Sequence, residues 1–168
     1  MYFTSFSSVL IISYFVSWVY SLNQLSFSGG GSFGAVEIGI CKYIVENNPD
    51  IEYDLYTGIS AGALNAGFLS YFDDLKLGIK VGETIYSSLR NNMVYELLPN
   101  TGISLLNSQP LNETLIEIIQ EFPSNSVIDT LIGATNMYSG NLDVYNFKEQ
   151  SESDKIKLLM ASSAIPGV

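Results

Sequence analysis

Thr57-Gly58-Ile59-Ser60-Ala61-Gly62-Ala63-Leu64-Asn65-Ala66 joins two different hydrophobic patterns. Before it, Tyr53–Thr57 reads as a strand that runs straight into the glycine turn. After it, the small residues from Ala61 to about Phe72 read as a tightly packed helix. Between the two lies Gly58-Ile59-Ser60-Ala61-Gly62, a G-x-S-x-G strand-to-helix turn. The need for glycine at Gly58 and Gly62 is steric, because side chains there would collide with the neighbouring strand and helix. Such a turn lifts the Ser60 hydroxyl out of the sheet and sets it at the positive end of a helix. Ser60 is the candidate nucleophile.

Upstream, Gln24–Ser28 is a short apolar strand followed by Gly29-Gly30-Gly31-Ser32-Phe33-Gly34. The helix expected over Ala35–Glu46 places Val36, Ile40 and Tyr43/Ile44 on one face. Gly29, Gly31 and Gly34 match the G-x-G-x-x-G dinucleotide fingerprint, and Asp54 stands about twenty positions on, where a ribose contact is expected. The second turn gives the loop another meaning. Free N–H groups of Gly29, Gly30 and Gly31 at a helix start are suited to holding the oxyanion of a tetrahedral intermediate. Both loops follow parallel strands and fall at the same sheet end, so donors and serine can face one carbonyl.

A helix is expected over Leu75–Leu89 with Leu75, Ile79, Ile85 and Leu89 inward, then mostly loop over Asn91–Gln109. Within that loop, Leu97–Leu106 reads either as ordinary packing or as an apolar cap over the site. Leu111–Phe122 is helical and ends at Pro123-Ser124-Asn125-Ser126. Val127–Thr135 and Leu142–Phe147 read as strands paired through Tyr138-Ser139-Gly140-Asn141, and Asp154–Ala161 as a last helix. Strands alternating with helices imply an α/β fold, a three-layer sandwich around a largely parallel central sheet. The division expected is an apolar leader over 1–21 and one α/β domain over 22–168.

Composition narrows the chemistry. The 168 residues carry a formal net charge of −10, which supplies no basic footprint for nucleic acid and no polybasic patch for anionic lipid. Any membrane contact has to be apolar. There is no histidine, which removes Ser-His-Asp triads, Cys-His pairs and histidine-ligated metals. A serine hydrolase built on this sequence needs a carboxylate or lysine as its base. Cys41 is the only cysteine and reads as a small buried hydrophobe. Met1–Tyr20 contains no charged side chain, and its run Val9–Tyr20 has signal-peptide length, although the positive n-region is missing. A membrane anchor is the rival reading. With the sequon Asn112-Glu113-Thr114, the expected location is secreted, lumenal or membrane-associated, with cytoplasmic as the alternative.

Three segments together resemble the patatin-like phospholipase family: Ser28-Gly29-Gly30-Gly31-Ser32-Phe33-Gly34-Ala35, Thr57 to Ala66, and Ala161-Ser162-Ser163-Ala164-Ile165-Pro166-Gly167-Val168. The likeness runs from about Leu25 to Val168. It implies a Ser-Asp dyad, which agrees with the missing histidines, with Ser60 as nucleophile and amides around Gly30 and Gly31 as oxyanion hole. It further implies hydrolysis of phospholipid or acylglycerol esters without cofactor or metal, at a membrane or lipid-droplet surface. Two departures stand out. The family's first loop usually carries Arg or Lys where this chain has Ser32-Phe33, so that cation is absent here. The dyad aspartate belongs to an Asp-Gly-Gly or Asp-Gly-Ala motif, which the resemblance places beyond Val168.

Asp143, Asp129, Asp73 and Asp74 lack that context and read as surface acids. Met93, Met137 and Met160 read as filler, Trp18 as part of the leader, and the eleven tyrosines as packing. The expectation is therefore a serine ester hydrolase. An inactive lipid-binding paralogue or fragment and a dinucleotide-binding domain are the alternatives.

Overall fold

The computed structural model describes residues 22–97, 106–122 and 126–165. The apolar leader, residues 98–105 of the candidate cap, Pro123-Ser124-Asn125 and Pro166-Gly167-Val168 lie outside the described residues. The elements are β1 (Gln24–Phe27), α1 (Gly34–Asn47), β2 (Leu55–Ile59), α2 (Ala61–Leu69), α3 (Leu75–Ser88), β3 (Glu96–Leu97), β4 (Leu106–Asn107), α4 (Gln109–Gln120), β5 (Asp129–Thr135), β6 (Leu142–Asn146) and α5 (Glu152–Ser163). Four strands form a sheet in the order β1-β2-β5-β6. β1, β2 and β5 run parallel, and β6 returns antiparallel beside β5. Parallel neighbours need crossovers, which α1 supplies between β1 and β2 and α2–α4 supply between β2 and β5. The fold is α/β, with a mostly parallel sheet flanked by helices.

Alternation along the strands decides which face is packed. Phe27, Tyr56 and Ile132 are buried, and the Phe27 and Tyr56 rings meet edge to face with centroids 6.3 Å apart. Ala63, Ala66 and Leu69 of α2 join the same core, with Ile79 of α3 and Leu158 and Leu159 of α5. At one end Phe68, Tyr71, Phe72 and Phe122 pack ring on ring. On the other sheet face Gln24, Ser26 and Thr57 hydrogen-bond one another. The antiparallel return is closed by Asn136 N–H on the Asn141 carbonyl at 2.8 Å, with Gly140 at φ 72° in the turn.

Several expectations need correction. The inward face of α1 is Gly34, Ile38, Cys41 and Val45, while Val36 and Ile40 are each 54% exposed and Tyr43 68%. This helix is apolar on two sides, so periodicity alone cannot choose between them. Glycines on a neighbouring helix make the choice, since Ile38 packs over Gly82 of α3. Strand β2 starts later than Tyr53 and continues through Gly58 and Ile59, which pair with Ile132 and Gly133. Helix α2 stops at Leu69, where the Ser70 hydroxyl turns back to the Gly67 carbonyl at 2.7 Å. The loop after α3 holds a short 3-10 turn, Asn91–Met93, and the two-residue ladder of β3 with β4, in which Leu97 faces Leu106. The sequon falls inside α4, as the helix expected over Leu111–Phe122 implies, and Thr114 is buried with its hydroxyl on the Met93 carbonyl at 2.8 Å.

Cys41 lies in the core, where burial and the Glu37 carboxylate push its thiol up to about 11. Among the described residues no helix is long and apolar enough to cross a membrane.

Candidate active site

Ser60 sits where β2 ends and α2 begins, with φ 56° and ψ −126°. It is the only non-glycine residue at positive φ among the described residues. A conformation of this kind costs on the order of 1–3 kcal/mol and persists only where the surroundings enforce it. They do so from both sides. The Ser60 carbonyl accepts from the N–H groups of Ala63 (2.9 Å) and Leu64 (3.3 Å) in the first turn of α2. The Ser60 N–H donates to Ser162 Oγ at 2.9 Å, and the Ser162 hydroxyl donates to the Gly133 carbonyl at 2.6 Å. One buried hydroxyl on α5 thus fastens the elbow to β5.

The glycines on either side of Ser60 are close-approach positions. A Cβ on Gly58 would stand 2.3 Å from the Gly62 carbonyl oxygen, and one on Gly62 would stand 2.5 Å from the Phe27 carbonyl carbon. Gly62 is therefore where α2 touches the end of β1, immediately before the glycine loop. Gly29 closes the same contact from the other side: a Cβ there would lie 3.1 Å from Ser60 Cβ and 3.7 Å from Ser60 Oγ. Gly34 is capped by Tyr86, whose hydroxyl would be 2.6 Å from an added Cβ.

The loop itself makes a 3-10 turn, Gly31–Phe33, with Gly31 at φ 58°. Among the described residues no protein group accepts the N–H of Gly30 or Gly31. Both residues are exposed, as Gly29 is, and Ser60 is half-buried. Two glycine amides without protein partners among the described residues thus follow Gly29, which makes the loop–serine contact.

Sequence reasoning missed the group that ties these parts together. Glu37, in the first turn of α1, accepts at Oε1 from the Ser28 N–H (2.7 Å) and the Ser28 hydroxyl (3.0 Å). Its Oε2 accepts from Asn65 Nδ2 at 2.9 Å. Asn65, 2% exposed on α2, also donates to the Gly34 carbonyl at 3.0 Å and accepts from the Tyr86 hydroxyl of α3 at 2.7 Å. Burial first, and then the Glu37 carboxylate, push the Tyr86 phenol up to about 12, so it remains a donor. The signal in the sequence is one acid in the otherwise apolar run Gly34-Ala35-Val36-Glu37-Ile38-Gly39-Ile40.

Three of the four acids considered from sequence are engaged elsewhere, and Asp73 makes no hydrogen bond or ion pair among the described residues. Asp143 accepts from Asn136 Nδ2 at 3.0 Å, Asp129 pairs with Lys148 at 3.3 Å, and Asp74 caps α3 by accepting from the Lys76 N–H. Among the described residues no side chain accepts a hydrogen bond from the Ser60 hydroxyl. Asp54 stands just before β2, at the opposite strand end from the glycine loop, and accepts from the Asn23 N–H at 2.9 Å. A ribose-binding acid belongs at the carboxyl end of that strand, so the dinucleotide reading loses its acidic partner.

The fold and its turn define an α/β protein with a serine in a strained G-x-S-x-G strand-to-helix elbow beside a glycine loop. The family model for patatin-like phospholipase matches residues 25–168, and the chain belongs to that family. No curated protein matches the chain.

Proposed function

We propose that the protein hydrolyses carboxylic esters of acyl lipids, with Ser60 as nucleophile. The observation that carries this is the strained Ser60 elbow packed against a loop whose Gly30 and Gly31 amides have no protein acceptor among the described residues. In this reading the Ser60 oxygen attacks the ester carbonyl and its proton passes to an aspartate. The carbonyl oxygen, now negative, accepts from the Gly30 and Gly31 N–H groups. Gly29 gives up a side chain so that the loop can approach the serine. Collapse of the tetrahedral intermediate breaks the ester bond, and the alcohol leaves with the proton. Water then releases the fatty acid from the acyl-serine by the same steps in reverse roles.

In this scheme the aspartate is that of an Asp-Gly-Gly or Asp-Gly-Ala motif, which the 168 residues do not contain. General-base help of this kind is worth roughly 10²–10⁴-fold in rate. Phospholipid and acylglycerol are the substrates proposed, taken from a membrane or droplet surface. With a formal charge of −10, that contact is apolar rather than electrostatic, and Phe33, 70% exposed beside the glycine loop, suits it.

The test is fatty-acid release from phosphatidylcholine micelles and triacylglycerol emulsions by the full-length protein. Release from at least one lipid is expected, with Ser60→Ala down by a factor of about 10³ or more. Equal release by Ser60→Ala, or none from either lipid by the wild type, contradicts the proposal.

A further inference from the structure

Glu37 takes no part in the scheme above, yet its carboxylate accepts three hydrogen bonds from two different elements. Ser28, which donates two of them, is the residue immediately before Gly29. Asn65, which donates the third, lies on the helix that Ser60 caps. The two loops of the site are therefore joined through one side chain on a third element, α1. Asn65 accepts from the Tyr86 hydroxyl and donates to the Gly34 carbonyl, so the donor at the α2 end of the link does not swing.

We propose that Glu37 is a positioning residue that sets the glycine loop, and with it the Gly30 and Gly31 amides, at a fixed distance from Ser60; this rests on the hydrolase reading above. The chemistry calls for an acid. Only a carboxylate offers acceptors at both oxygens, and all three partners are donors. A glutamine keeps one acceptor and turns an N–H₂ toward either Ser28 N–H or Asn65 Nδ2, so one contact becomes donor against donor. A loop with three consecutive glycines has little stiffness of its own, because each glycine has wide backbone freedom. Its order must come from anchors at its ends. The anchor at the Ser28 end is Glu37.

A displacement of about 1 Å at a reacting centre costs as much as 10²-fold in rate, so the link should act on kcat rather than on substrate affinity. The experiment compares wild type, Glu37→Gln and Glu37→Ala in the full-length protein, by amide hydrogen exchange and by steady-state hydrolysis of p-nitrophenyl butyrate. Exchange at the Ser28 amide, which Glu37 holds, is expected to speed up at least ten-fold in both variants, while β2 and β5 keep their protection. The expected kinetic result is a kcat about ten-fold lower for Glu37→Gln and lower still for Glu37→Ala, with KM within about two-fold.

Unchanged loop exchange overturns the proposal, and so does faster exchange with unaltered kcat. So does a KM rise that accounts for the whole loss. If the wild type shows no turnover, it is the hydrolase reading that fails, and the exchange measurement alone still decides whether Glu37 holds the loop.

Discussion

At the scale of single residues, the site is a set of contacts too close for ordinary side chains. Ser60 could relax out of its strained backbone were Gly58, Gly62 and Gly29 not bringing two loops and a helix against it. An alanine at Gly62 would drive its methyl into the Phe27 and Ser28 carbonyls, which are backbone atoms and cannot rotate aside. Gly62→Ala should therefore cost about 3 kcal/mol or more in a urea titration, at the upper end of overpacking changes. An alanine at Gly39, where an added Cβ meets nothing within 4 Å on a helix, should instead be neutral or slightly stabilising. Equal stability of the two variants would show that the elbow is looser than described. The motif glycines were legible in the sequence because this constraint is local, spanning two residues on either side of Ser60. Ser162, Glu37, Asn65 and Tyr86 were not. Their partners lie 9 to 102 positions away and become neighbours only once the sheet is built.

Element by element, the strands and helices followed from pattern and turn chemistry, while their orientation did not always do so. Helix α1 is the instructive case. Val36, Ile40 and Tyr43 form a regular stripe, and so do Ile38, Cys41 and Val45; hydrophobic periodicity gives both the same weight. What separates them is the bare backbone of Gly82 on α3, which lets that helix receive Ile38. The consequence is measurable. Ile38→Ala should destabilise by about 2–5 kcal/mol, as a core truncation, and Ile40→Ala by about 0.5 kcal/mol or less. The reverse order in chemical denaturation would mean that α1 packs on its other face. The end of β2 was misjudged for a related reason. Gly58 has low strand propensity, but its pairing with Ile132 carries the ladder on to the serine.

Over the whole molecule, the buried phenols set how the fold responds to alkali. Tyr56, Tyr71 and Tyr86 are each raised from 10.0 to about 12, chiefly by burial. In the unfolded chain they ionise near their ordinary value, so between about pH 10 and 12 the native state binds more protons than the unfolded one. Stability then falls with rising pH in that window. Lys155 works against this, since burial lowers its ammonium below 10.5 and its penalty fades as pH rises toward that value. Cys41 and Tyr53, also raised by burial, act in the same direction as the three phenols and outweigh it. Melting temperature should decline steeply from pH 10 to 12, and a flat profile there would contradict the packing of these tyrosines. The missing histidines were legible at this scale from composition alone, and they turn the search for a base toward carboxylates.

Covalent trapping reads directly whether Ser60 is the nucleophile. The full-length protein is treated with a fluorophosphonate, and the adduct is located by peptide mass spectrometry. One stoichiometric phosphonyl group is expected on the peptide carrying Gly58-Ile59-Ser60-Ala61-Gly62, with none on Ser60→Ala. An adduct on another serine, or equal labelling of Ser60→Ala, would contradict that role.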